Sequence, residues 1–238
     1  MDTIKINKKN TLMVAHRGLS GIEKENTLAS FIAACNRSYF GCECDIHKTK
    51  DDKYVVIHDS DVYRVAGISL IIENSTLEEI RNIRLIDFNK QTQELYFVPT
   101  LEEYITTLKR YDKKCIIEYK NSFKKEDVKE VLDIIEALGY LDSCIFISFD
   151  INNLLFTKKI KKELPCQYLM VEPIDEKIDN AINNDLGLDI YYQYLTKEIV
   201  DKFHSHNLKV NAWTVDEKDA AEKLVDMGVD FITTNILE

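Results

Sequence analysis

Eight short apolar runs, at positions 12–15, 42–46, 115–118, 144–148, 167–171, 188–191, 209–213 and 230–233, divide the chain, and amphipathic helical patterns lie between most of them. The runs are nearly all apolar rather than alternating. That is the pattern of parallel strands covered by helices on one face and by a barrel interior on the other. Helical periodicity is predicted over 28–36, 101–110, 127–138, 151–162, 197–206 and 217–227, with Thr100 and Glu103 reading as a capping box and Asp150 and Asp216 placed to cap the helices that follow them. Eight such units in 238 residues predict an α/β fold, a TIM (β/α)8 barrel.

The spacing has one irregularity, an oversized stretch after the second strand. It predicts a small insertion at about 47–99, with a hairpin across Asp51-Asp52-Lys53 and a short helix capped by Ser75 with Glu78, lying on the top face of the barrel. Only 7 glycines and 3 prolines occur and no stretch is rich in either, so no linker is expected and residues 1–238 read as a single TIM-barrel domain. The six cysteines form no CxxC pair and mostly sit inside apolar runs, as buried thiols do. A formal charge of -10 disfavours nucleic acid and anionic membrane surfaces as partners. No window approaches the ~20 apolar residues of a membrane-spanning helix, and positions 1–10 are polar and basic, so a cytoplasmic protein without a stable membrane anchor is expected.

A barrel of this kind assembles its site from loops at the C-terminal ends of its strands. The first strand delivers His16 and Arg17 there, the second Glu43 and Asp45, the third Glu118 and Lys120. The two-residue period of a strand points Glu43 and Asp45 the same way, and Glu118 and Lys120 likewise, so three carboxylates and a lysine converge on the barrel mouth. Carboxylates crowded in a half-buried site repel one another, and a bound cation is the simplest compensation. Hard oxygen donors without a His or Cys set favour Mg²⁺ or Ca²⁺ over zinc. With a divalent ion, Arg17 and Lys120 present, the cluster keeps one net positive charge, the complement of a phosphodiester. His16 and His58, each ending an extended run, supply the base and acid that displacement at phosphorus requires, and Asp59 is placed to orient an imidazole.

The strings His16-Arg17-Gly18, Glu25-Asn26-Thr27, Glu43-Cys44-Asp45, Thr49-Lys50-Asp51 and His58-Asp59 resemble the glycerophosphodiester phosphodiesterases, and the resemblance continues through Pro99 to Glu103, Ile117-Glu118-Tyr119-Lys120, Ser148-Phe149-Asp150, Ala212-Trp213-Thr214-Val215 and Gly228-Val229-Asp230. It spans almost the whole chain. The resemblance implies metal-dependent hydrolysis of small-molecule glycerophosphodiesters to sn-glycerol 3-phosphate and an alcohol. It implies Glu43, Asp45 and Glu118 as metal ligands, His16 and His58 as general acid and base, Arg17 and Lys120 as phosphate contacts, and Trp213 as the aromatic packed against glycerol. Departures are small: Asp52 stands where the family commonly has glycine, and Val65 where it has threonine.

Two other functions share these residues. A lysophospholipase D-like enzyme would act on a bulkier phosphodiester, with the 68–72 run of the insertion as an apolar contact; a catalytically dead barrel would only bind phosphorylated ligands. His47 reads either as a support of the pocket or as a surface residue, His204 and His206 as a helix C-terminus, and Glu172 as a strand-end carboxylate near the site.

Overall fold

The eight expected strands close on themselves. The computed structural model describes residues 2–238, and in it β1 (Leu12–Ala15), β2 (Gly41–Lys48), β4 (Lys114–Tyr119), β5 (Cys144–Ser148), β6 (Cys166–Met170), β7 (Gly187–Tyr191), β8 (Val210–Trp213) and β9 (Phe231–Thr234) are parallel neighbours in chain order. Pairing of β1 with both β2 and β9 seals the ring, which gives a TIM barrel.

Two cores flank this wall. Outward-facing side chains such as Cys42, Cys44, Cys115, Ile117 and Phe146 pack under the helices α1 (Leu28–Cys35), α4 (Leu101–Arg110), α5 (Lys125–Ala137), α6 (Ile151–Ile160), α7 (Asp175–Asn183), α8 (Lys197–Ser205) and α9 (Lys218–Met227). α4 shows why these segments are helical: Leu101, Tyr104, Ile105 and Leu108 recur at helical spacing and are all fully buried, each contributing about 1.5–3 kcal/mol. Thr100 and Glu103 close the expected capping box. Inside the barrel a smaller apolar plug of Val14, Ile116, Ile145, Ile147, Leu169 and Phe231 fills the lower layers. All six cysteines are buried free thiols, as expected.

The oversized unit holds β3 (Tyr54–Val56), which folds back antiparallel on β2 across a turn where Asp52 adopts φ 59°. The short helices α2 (Tyr63–Ala66) and α3 (Leu77–Arg81) follow, and a core of their own, including Val55, Ile57, Val62, Ile72, Ile80 and Val98, holds the insertion together. Two capping expectations need correction. The helix of the insertion is capped one residue later than expected, by Thr76 with Glu79, because Ser75 turns its hydroxyl back to the Ile71 carbonyl. Asp216 does not cap α9: its carboxylate accepts from Asn235 N, Asn235 Nδ2 and Thr234 Oγ1. Helix α7 lay outside the sequence expectation, its periodic face reduced to Ile178 and Ala181.

Candidate active site

Strand register brings the acidic residues together. Asp45 on β2 stands opposite Glu118 on β4, Glu43 lies two residues below Asp45 on the same inward face, and all three side chains are buried. One carboxylate oxygen from each lies within 4.8 Å of the others. Lys120 Nζ reaches Glu118 at 2.9 Å and Asp45 Oδ1 at 3.4 Å, while Arg17 Nε stands 3.4 Å from Asp45 Oδ2.

Burial pushes the Glu43 carboxyl well above its usual range, with Asp45 and then Glu118 adding repulsion. Burial and the neighbouring Asp45 likewise raise Glu118, to about 8. Asp45 goes the other way. Burial opposes its ionisation, but Lys120 and Arg17 outweigh it and hold the group below the ordinary carboxylate range. Its buried Oδ1 makes no hydrogen bond and has only the 3.4 Å ion-pair contact with Lys120. A carboxylate oxygen that makes no hydrogen bond, beside two carboxyls that repel each other, is a donor set that fits a hard divalent cation.

Arg17 is held where it is by strained backbone. Its φ of 54° is left-handed, and Gly18 follows at φ 75°, where an added Cβ would lie 2.4 Å from Ser30 Oγ. That turn lets Arg17 N donate to Glu43 Oε2 at 2.8 Å while Arg17 Nη1 donates to Glu25 at 2.9 Å. Asn26 Nδ2 donates to Asp45 Oδ2 at 2.8 Å. The backbone and amide of these residues thus orient two of the three carboxylates.

Each histidine is fixed by a different neighbour. Asp216 takes the Asn235 Nδ2 protons, which turns Asn235 Oδ1 toward His16 Nδ1 at 2.7 Å; an amide oxygen only accepts, so the ring proton sits on Nδ1. Burial and the Arg17 charge lower His16 to about 4, so it is neutral near pH 7. His58 Nδ1 donates to Asp59 Oδ1 at 2.6 Å, and Asp59 Oδ2 accepts from Arg64 Nε at 2.5 Å. Burial lowers His58 as well, with the Asp45 and Asp59 carboxylates opposing the shift. His47 is buried and supports the site: its Nε2 lies 3.0 Å from the His58 carbonyl and its Nδ1 3.2 Å from Asn121 Nδ2.

His16, Arg17, Glu43, His58, Glu118, Lys120 and Trp213 line one cavity of about 250 Å³ at the barrel mouth. Asp45 is not part of the lining; it is buried and reaches the lining residues Arg17 and Lys120. Trp213 packs between Phe149 and Tyr191, with ring centroids 5.8 and 5.7 Å away. Glu172 stays outside, accepting from Tyr194 OH at 3.2 Å, and His204 pairs with Asp230 at 2.8 Å far from the cluster. Glu25, Asn26 and Asn235 carry positioning roles that sequence reasoning did not assign. The strings around Glu25-Asn26 and the Asx-capable Asn235 after β9 were the only signals for them.

Comparisons with known proteins agree with this geometry. The family model for the glycerophosphoryl diester phosphodiesterase family matches residues 16–238. A glycerophosphodiester phosphodiesterase of Caldanaerobacter subterraneus subsp. tengcongensis is 30% identical over 228 residues, 94% of either chain. Among solved structures, an Oleispira antarctica phosphodiesterase in complex with the product sn-glycerol-3-phosphate superposes with a TM-score of 0.82 at 23% identity, covering 98% of this chain and 96% of that one. A glycerophosphodiester phosphodiesterase from Parabacteroides distasonis gives 0.80 at 26% identity, covering 95% and 93%. Among the described residues no helix is long and apolar enough to cross a membrane. Since the family match starts at His16, immediately after β1, and runs through residue 238, the chain belongs to the glycerophosphoryl diester phosphodiesterase family, a family of hydrolases.

Proposed function

We propose that this protein is a metal-dependent hydrolase of small glycerophosphodiesters, releasing sn-glycerol 3-phosphate and an alcohol. The observation that carries the reading is a cluster of three buried carboxylates, two of them lining one cavity together with two cationic side chains and two tautomer-fixed histidines. Glu43, Asp45 and Glu118 would hold a divalent cation, Mg²⁺ or Ca²⁺ by the hardness of the donors. When bound, the ion would supply Lewis-acid polarisation of the phosphoryl group and offset the negative charge of the site.

The chain's own groups do the rest. Arg17 and Lys120 bind the phosphate oxygens and neutralise charge that develops there, and both stay protonated because carboxylates surround them. His16, neutral with its proton on Nδ1, presents a free Nε2 lone pair to take a proton from the attacking hydroxyl or water. His58, whose Nδ1 faces the Asp59 carboxylate, is the ring better able to carry a positive charge and to protonate the departing alkoxide from Nε2. Trp213 provides an apolar wall for the glycerol carbons.

Steady-state hydrolysis of glycerophosphocholine by the metal-loaded protein tests the reading. Turnover abolished by chelator and by His16→Ala is expected; tight binding of glycerophosphodiesters with no turnover would replace it with the ligand-binding reading. Preference for lysophosphatidylcholine over glycerophosphocholine would replace it with the lysophospholipase D-like alternative.

A further inference from the structure

One part of the cavity does no work in the hydrolysis described above. Asp189, at the centre of β7, faces into the barrel, is 1% exposed, and lines the same cavity as the histidines and the acidic cluster. Its Oδ1 has no hydrogen-bond partner. Its neighbour across the sheet, Asn211, exchanges hydrogen bonds of 2.9 and 3.2 Å with Thr233 and also offers its amide to the Asp189 carboxyl, which still leaves Oδ1 without a partner. Burial raises the Asp189 carboxyl to about 8, with Asn211 only partly opposing the shift. In the same cavity Trp213 carries a second orphan, a buried indole Nε1 without an acceptor. Native interiors rarely leave such groups unpaired, and each is destabilising unless a water or a ligand satisfies it.

A substrate hydroxyl can both accept from an indole N–H and bond a carboxyl, replacing the water that would otherwise serve them. With phosphorus near Arg17 and Lys120, the glycerol atom that reaches furthest from it is the terminal hydroxyl. Ile147 and Leu169 line the cavity beside Asp189, and Ile145 and Phe231 of the apolar plug lie further down the barrel. An acyl chain directed inward from that oxygen would meet these side chains.

We propose that Asp189 and the Trp213 indole N–H form a hydroxyl-reading wall that binds the free terminal hydroxyl of the glycerol moiety and so selects fully deacylated diesters over lysophospholipids acylated at that oxygen. The inference rests on the glycerophosphodiester reading and names the feature by which that substrate class is recognised.

The test compares three substrates with the metal-loaded, full-length protein: glycerophosphocholine, its analogue with the terminal hydroxyl replaced by hydrogen, and lysophosphatidylcholine. The wild type is expected to prefer glycerophosphocholine over the deoxy analogue by about 10- to 100-fold in kcat/KM, the scale for a site built around a substrate hydroxyl. In Asp189→Leu that ratio should collapse to within about 3-fold, with the loss on glycerophosphocholine appearing mainly in KM. Equal treatment of the two diesters by the wild type, or an unchanged ratio in Asp189→Leu, overturns the proposal. Should Asp189→Leu fail to fold, the near-isosteric Asp189→Asn replaces it, with a reduced ratio expected and an unchanged one overturning. If the wild type turns over neither diester, the hydrolytic reading itself fails. The wall is then decided separately by calorimetry with sn-glycerol 3-phosphate against its deoxy analogue, where equal affinities would overturn it.

Discussion

Replacing Asp59 by asparagine tests how His58 works. The Asp59 carboxylate accepts from two donors, His58 Nδ1 at 2.6 Å and Arg64 Nε at 2.5 Å. An asparagine has one acceptor oxygen. If it serves Arg64, its amide N–H groups face His58 Nδ1 and force the imidazole proton onto Nε2, the wrong tautomer for a neutral ring and a poor setting for a positive one. The loss of charge also matters. His58 and Asp59 side chains are 31% and 30% exposed, so the attraction is partly screened. With an effective dielectric of about 40 and charge centres about 4 Å apart, it comes to about 2 kcal/mol of support for the protonated ring. In a pH profile of kcat the alkaline limb, set by the general acid, should therefore move to lower pH, and kcat near neutrality should fall about 10- to 30-fold. The deficit should shrink below that limb, and metal affinity should stay near the wild-type value. An alkaline limb that does not move, or a loss of the same size at every pH, would refute the assignment of His58 as the group that protonates the leaving alkoxide.

Other outcomes follow from the same contacts. Asn26→Ala frees Asp45 Oδ2 from its 2.8 Å hydrogen bond and should weaken divalent-ion affinity about 10- to 100-fold, measured by calorimetry, with the fold intact by circular dichroism. Chelation should lower the melting temperature measured by differential scanning fluorimetry, because a cation at 100 times its Kd stabilises the native state by about 2.7 kcal/mol; an unchanged melting temperature would count against a cation among Glu43, Asp45 and Glu118. Glu25 is held down to about 2, burial opposing and the Arg64 and Arg17 contacts prevailing. A depressed carboxyl stabilises the fold above its unfolded value of 4.5 and loses that stabilisation as pH falls toward 2. Urea unfolding of Glu25→Gln should accordingly show a deficit of about 1–2 kcal/mol at pH 7, allowing for screening, which narrows progressively between pH 4.5 and pH 2.

What could be read from the sequence divides along the difference between local and long-range information. A strand's two-residue period is local, so Glu43 with Asp45 and Glu118 with Lys120 could be assigned to inward faces before any coordinates, and the β2–β4 register then places Asp45 opposite Glu118 as the barrel topology requires. Capping chemistry is nearly as local: Thr100 with Glu103 was legible, whereas the cap at Thr76 was missed by one residue because Ser75 had a competing carbonyl at Ile71. The orienting residues are a different matter. Asn235 reaches His16 across 219 positions and only because β9 closes against β1; once Asp216 fixes the Asn235 amide, it is unavailable as the helix cap that its position suggests. Asp189 was invisible for a related reason. In an apolar strand a single aspartate looks like an edge residue or a turn, and only barrel closure turns it inward, beside a tryptophan whose N–H is also unpaired. Closure thus creates the neighbourhoods in which a tautomer is fixed or a buried polar group is left unpaired. Those neighbourhoods are where the specificity of a family member should be sought, since the metal and proton-transfer residues only define the reaction it shares with its relatives.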